Sequence, residues 1–119
     1  MTTKFPTVAN FTNVQVRESV EHFDKSVEYD ITEWVAKSHR GMKRMKLLVF
    51  SVLYHKVNNN GEFISVEEFQ DMMVDGGNGT VDMNISKQRL GFFISFLTKK
   101  GVLESKKDWR NKVEFRRMV

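Results

Sequence analysis

Residues 42–57 (MKRMKLLVFSVLYHKV) place Met45, Val49, Val52 and Leu53 at i, i+4, i+7 and i+8, the spacing of one apolar stripe on a helix. Leu48, Phe50 and Tyr54 widen that stripe, which predicts the most buried helix of the chain. Gly41 punctuates the chain ahead of it, and Asn58-Asn59-Asn60-Gly61 ends it with turn chemistry at every position. Upstream, Asp30 and Glu33 have the spacing of a capping box and open a short helix over 31–38, with Ile31, Trp34 and Val35 on one side. Residues 14–24 carry two signals. Val14 and Val16 alternate as in a strand, whereas Val16, Val20 and Phe23 recur at near-helical spacing, and the helix is preferred.

Phe63-Ile64 is too short for an independent strand and needs a partner later in the chain. Ser65 and Glu68 repeat the capping-box spacing and open a helix over 66–74, whose Phe69, Met72 and Met73 face inward. Asp75-Gly76-Gly77-Asn78-Gly79 is a loop. The next helix starts near Asn84 or Ser86 and runs to Lys100, burying Leu90, Phe93, Ile94 and Leu97. Gly101 follows, where a left-handed residue is wanted. Beyond it the period becomes two: VLESKK, a turn at DWRN, then KVEFRRMV with Val113 and Phe115 sharing a face. That is a β-hairpin pattern.

Charge divides the chain into blocks. Residues 1–34 carry −3, residues 35–61 carry +6 with no acid, residues 62–84 carry −6 with no base, and residues 85–119 carry +7; together they make the net +4. The middle blocks are able to neutralise one another, but the C-terminal block is left with a field that attracts polyanions. A chain of 119 residues buries about two-thirds of its unfolded surface and folds as one unit without crosslinks. Zero cysteines exclude disulfides, thiolate zinc sites and cysteine catalysis. Leu47–Leu53 falls far short of a membrane span, and MTTKFPTVANFTN lacks the apolar core of a signal peptide, so a cytoplasmic protein with no membrane partner is expected.

From residue 42 the order is helix, short strand, helix, loop, helix, hairpin. GEFISVEEFQDMM, ISKQRLGFFISFLTKKGVLE and ESKKDWRNKVEFRR carry that order, and it resembles the winged helix-turn-helix DNA-binding domain family. The loop over 75–84 is longer than the family's usual tight turn. The resemblance implies an α+β fold, mainly α: a three-helix core plus a C-terminal β-hairpin wing over 41–119, with residues 1–40 as an N-terminal extension of one or two helices. It further implies double-stranded DNA binding by a transcription regulator. The third helix (85–100) would lie in the major groove and the wing (102–118) on the backbone, with Lys43 and Arg44 also against the backbone.

The residues themselves suit that role. With the apolar stripe turned inward, a helical wheel points Gln88, Phe92, Ser95 and Lys99 outward, flanked by Lys87 and Arg89. Ser86, Lys87, Gln88 and Arg89 are all hydrogen-bonding types able to meet base edges. The wing adds Lys106, Lys107, Arg110 and Lys112 around Trp109. Six or more phosphate contacts from such a set would cost roughly 10³-fold in affinity between 50 and 200 mM salt.

Other readings compete. Exposed lysines serve solvation, Trp109 is either a lid over the core or a nucleic-acid contact, and Phe92 is either covered by residues 1–40 or part of a protein-binding patch. The rival function is a protein-interaction winged helix docking on RNA polymerase or a replication protein through Phe92 and Trp109. RNA is a third candidate ligand. A homodimer would have to use residues 1–40, with Trp34 and Val35 covering a partner subunit, because the chain stops at the wing. His22, His39 and His55 are scattered, DGGNGTVDMN lacks the final Glu of a calcium loop, and GGNGT lacks the Lys-Ser/Thr of a phosphate loop. No enzyme, metal site or cofactor is expected.

Overall fold

The computed structural model describes residues 12–74 and 85–118, so the expected loop over 75–84 lies outside the described residues. The chain runs α1 (Asn13–Ser26), α2 (Ile31–Ala36), α3 (Arg40–Lys56), β1 (Ile64–Ser65), α4 (Val66–Val74), α5 (Lys87–Lys99), β2 (Leu103–Lys107) and β3 (Val113–Arg117). It is an α+β architecture, mainly helical, with a three-stranded antiparallel sheet in the order β1-β3-β2.

Local chemistry sets most boundaries. Thr12 starts α1 through a capping box: its hydroxyl accepts from the Gln15 amide at 3.1 Å, and the Gln15 side chain accepts from the Thr12 amide at 2.9 Å. The strand signal at Val14 loses, and that side chain is 66% exposed. Asp30 caps α2 by accepting from the Glu33 amide, but the Glu33 carboxylate turns to Lys37 at 2.7 Å instead of back to Asp30. Gly41 does not precede α3; it lies in its first turn, because His39 Nδ1 accepts from the Met42 amide and starts the helix earlier. Ser65 and Glu68 make the reciprocal box expected of them, at 3.1 Å each way.

One buried cluster joins every element. Val20 and Phe23 from α1 and Ile31 and Val35 from α2 sit with Phe50, Val52 and Leu53 of α3, Phe69 and Met73 of α4, the α5 stripe, Leu103 and Phe115. Deleting one of the fully buried phenyls would cost about 3–5 kcal/mol. Ile64 pairs with Phe115, so the short Phe63-Ile64 segment does find its later partner. Lys46 is the cation drawn into this body: it is 7% exposed, donates to Ser38 Oγ at 2.6 Å and lies 3.5 Å from the Trp34 ring centre. Burial pulls its pKa below the usual lysine value.

Candidate nucleic-acid interface

Caps aim α5. Ser86 Oγ accepts from the Arg89 amide at 3.2 Å, so this hydroxyl is engaged by its own helix. At the far end the Gly101 amide donates to Thr98 O and the Val102 amide to Leu97 O, with Gly101 at φ +83°. That pairing of bonds is the Schellman ending, which only a left-handed residue allows without strain. It sends the chain straight back into β2. The inner stripe Leu90, Phe93, Ile94 and Leu97 is buried, as the spacing requires. One flank is covered by the N-terminal helices: Phe96 stacks on Trp34 at 4.3 Å and meets Tyr29 edge-on at 5.6 Å. Trp34 thus packs against Phe96 within the chain while staying partly exposed, and Val35 is buried. The outer face of α5 presents Gln88, Phe92, Ser95 and Lys99 to solvent. Phe92 is not covered by residues 12–40; it is 68% exposed.

The wing is a strand pair whose alternate side chains take opposite sides. On the α5 side, Ser105 Oγ lies 2.6 Å from Thr98 Oγ1. Thr98 gives its proton to Ile94 O, so Ser105 is the donor between them. Leu103 and Phe115 share this side, followed toward the tip by Lys107 and its cross-strand partner Val113. Val113 does share a face with Phe115, but the face outruns the core there and Val113 is 37% exposed. On the other side, Arg116 bridges Glu104 at 2.9 Å and donates to Gly61 O, while Lys106 faces Glu114. Lys106 and Arg116 both lie 4.5 Å from the centre of the Phe63 ring.

Asp108 organises the tip. Its Oδ1 accepts from the amides of Arg110 and Lys112, and its Oδ2 from the Arg110 guanidinium, with Asn111 left-handed at φ 66°. The Lys112 amide is the main reason that the carboxyl titrates below its ordinary value, with the Arg110 side chain adding to it. Trp109 is 90% exposed on this turn and is no lid. Arg110 folds back toward it, 5.5 Å from the ring centre.

The thirteen expected contact residues therefore separate. Ser95 and Lys99 of α5 line a hollow of about 320 Å³ between helix and hairpin with Ser105 and Val113 of the wing, and Lys107 is the cross-strand partner of Val113. Gln88 and Arg89 line a separate hollow on the α3 side of α5, and Trp109 and Lys112 are exposed at the wing tip. Arg89, Lys99, Lys107 and Lys112 make no ion pair with a described residue. Lys87 bridges Glu67 of α4 at 3.3 Å, an exposed and solvent-screened pair. Glu67 titrates low, chiefly because its own backbone amide donates to it and then because of Lys87. Ser86 serves as cap, Arg110 is held by Asp108, and Lys106 faces the opposite side of the wing. Lys43 and Arg44 are exposed but line a cleft between α1 and α3 with Asn13 and Val16. The α3 residue that meets α5 is Met42, which shares a hollow with Gln88, Arg89 and Phe92. Sequence reasoning missed Met42, Asp108 and Phe63; for Asp108, the turn-forming DWRN stretch was the available signal.

Among the described residues, no three His, Asp or Glu side chains gather as metal ligands, and no helix is long and apolar enough to cross a membrane. No protein-family model, curated protein or solved structure matches the chain.

Proposed function

We propose that this chain is a winged-helix protein that binds double-stranded DNA in the cytoplasm, as a transcription regulator and not an enzyme. The observation that carries the reading is an open, acid-free outer face on α5 standing beside the wing cations Lys107 and Lys112, which are exposed and make no ion pair with a described residue. The element order from α3 onward, with β1 closing against β3, supports the winged-helix resemblance. In this reading α5 enters the major groove, and a phosphate strand runs along the hollow between Lys99 and Lys107. The rigid turn at Asp108 carries Trp109 and Lys112 to the adjoining sugar and phosphate.

Four cations on or flanking that face, Arg89, Lys99, Lys107 and Lys112, imply about four phosphate contacts and a loss of roughly 150-fold in affinity between 50 and 200 mM salt. Fluorescence anisotropy with random-sequence duplex DNA at the two salt concentrations measures this directly. Affinity that is undetectable at the lower salt, or unchanged between the two, rejects the reading. The exposure of Phe92 and Trp109 favours a second one, in which they anchor a protein such as RNA polymerase or a replication protein. That interface would show little salt dependence.

A further inference from the structure

Phosphate contacts account for the cations of the α5 face but not for the phenyl at its centre. Phe92 is 68% exposed, one turn after Gln88, with Ser95 and Lys99 following on the same face. The helix contains no Asp or Glu. Exposure is not the general condition of phenyl groups here, since Phe96, one turn on, is stacked beneath Trp34. An aromatic anchor for a protein partner usually fills a well-packed, fully desolvated pocket near the centre of an interface. On the outer face of α5, Phe92 follows Gln88 and precedes Ser95 and Lys99, and it shares its hollow with Arg89 and with Met42 of α3; the polar and cationic members of that set complement a polyanion.

We infer that Phe92 reads thymine, packing its ring on the C5 methyl in the major groove while Gln88 reads an adjacent adenine. The inference rests on the duplex-binding reading and specifies its base preference. Thymine offers the one apolar group on a major-groove base edge, and adenine offers N6 and N7 as the donor and acceptor that match a Gln side chain. Gln88 and Phe92 are four residues apart, about 6 Å along the helix. That is under two base-pair steps of about 3.4 Å, so both contacts fall within one short A/T run. Uracil lacks the methyl, and the major groove of an RNA helix is too narrow for side chains to read, so the same ring also selects DNA over RNA.

The test uses two duplexes with the same backbone: alternating adenine and thymine, and the same duplex with deoxyuridine in place of thymidine. The wild-type chain should bind the thymine duplex about fourfold more tightly for each methyl contacted, the equivalent of roughly 0.8 kcal/mol per buried methyl-sized group. Phe92→Ala should bind both equally and keep its salt dependence, and Phe92→Leu should retain part of the preference. Circular dichroism verifies that the variants fold, which the exposure of the ring favours. Equal wild-type affinity for the two duplexes overturns the assignment while leaving duplex binding intact. Methyl preference that survives in Phe92→Ala also overturns it, since another residue is then the reader. Binding of both duplexes unchanged by Phe92→Ala overturns it as well, since the ring then contributes nothing to duplex affinity. No binding to either duplex removes the parent reading and this one with it.

Discussion

Arg117 and Lys107 lie on the same side of one strand pair, yet Arg117 commits its charge within the fold while Lys107 keeps its own at an exposed position. Arg117 reaches across to the end of α3, where its guanidinium donates to Leu53 O at 3.2 Å and to Tyr54 O, both among the last carbonyls of that helix. Its own carbonyl accepts from the Asn60 amide at 2.8 Å, which binds the turn after α3 to β3. Two bonds from a charged donor are worth about 1.5–3 kcal/mol each, and a cation at a helix C terminus adds about 0.3–1 kcal/mol. Against these stands the burial of the guanidinium, which lowers its pKa, and its Nε, which finds no partner among the described residues. An unpaired buried donor costs about 1–3 kcal/mol. The balance for Arg117→Ala is a loss of about 2 kcal/mol, or roughly 8 °C in Tm for a domain of this size. Both bonds leave the same terminal nitrogen, so Arg117→Lys, which keeps a charged donor on a shorter side chain, should lose about half as much. Lys107→Ala, on an exposed position, should stay within about 0.5 kcal/mol of wild type. In duplex binding the order reverses: Lys107→Ala lowers the salt slope by about 0.9, and Arg117→Ala, assayed well below its Tm, leaves it unchanged. Thermal denaturation followed by circular dichroism, paired with anisotropy titrations, reads both effects. An Arg117→Ala variant as stable as wild type, or one that reduces the salt slope as Lys107→Ala does, refutes this division of labour.

Two glycines should respond with opposite signs. A methyl added at Gly91 meets open space within a regular helix, so Gly91→Ala should stabilise by about 0.5–1 kcal/mol; Gly101 sits at φ +83°, so Gly101→Ala should destabilise by about 1 kcal/mol, both read by urea denaturation. Asp108 titrates below its ordinary 3.8 in the folded wing, so its hold on the tip is complete above that value and is lost as the pH falls through the lower folded one. The NMR amide shifts of Arg110 and Lys112 should move together with a midpoint below 3.8, and a midpoint at or above it contradicts the hydrogen bonding described for the turn.

The fold was legible where the deciding groups are close in sequence. Ser65 with Glu68, Ser86 with Arg89, and Gly101 after Lys100 fix helix ends within three residues of themselves, and the Leu90–Leu97 stripe needs only its own spacing. Gly41 misled because a helix start depends on which upstream side chain can cap it, and His39 does so two residues earlier. Glu33 misled because a carboxylate at that position has two partners within reach, and Lys37 one turn on takes it. The split of the wing lysines was available in principle. Once Phe115 is turned inward, Ser105 opposite it is inward too, which puts Lys107 on the α5 side and Lys106 on the other.

What the sequence hides is which charges are already occupied, and this changes the strength expected of the site. Ten cations in residues 85–119 suggest six or more phosphate contacts. Arg116 and Arg117 take carbonyls 55 and 64 residues away, partners that no local pattern announces. Lys87 and Arg110 pair with Glu67 and Asp108. Lys100 and Lys106 lie over the rings of Tyr29 and Phe63. Among the described residues four cations remain, Lys99, Lys107 and Lys112 on or near the face shared by α5 and the wing and Arg89 beside Met42, so the electrostatic share of any duplex affinity would be smaller than the charge count implies. If the chain binds duplex DNA as proposed, base-edge contacts from Gln88 and Phe92 would then have to supply more of the discrimination, because phosphate attraction alone carries no sequence preference.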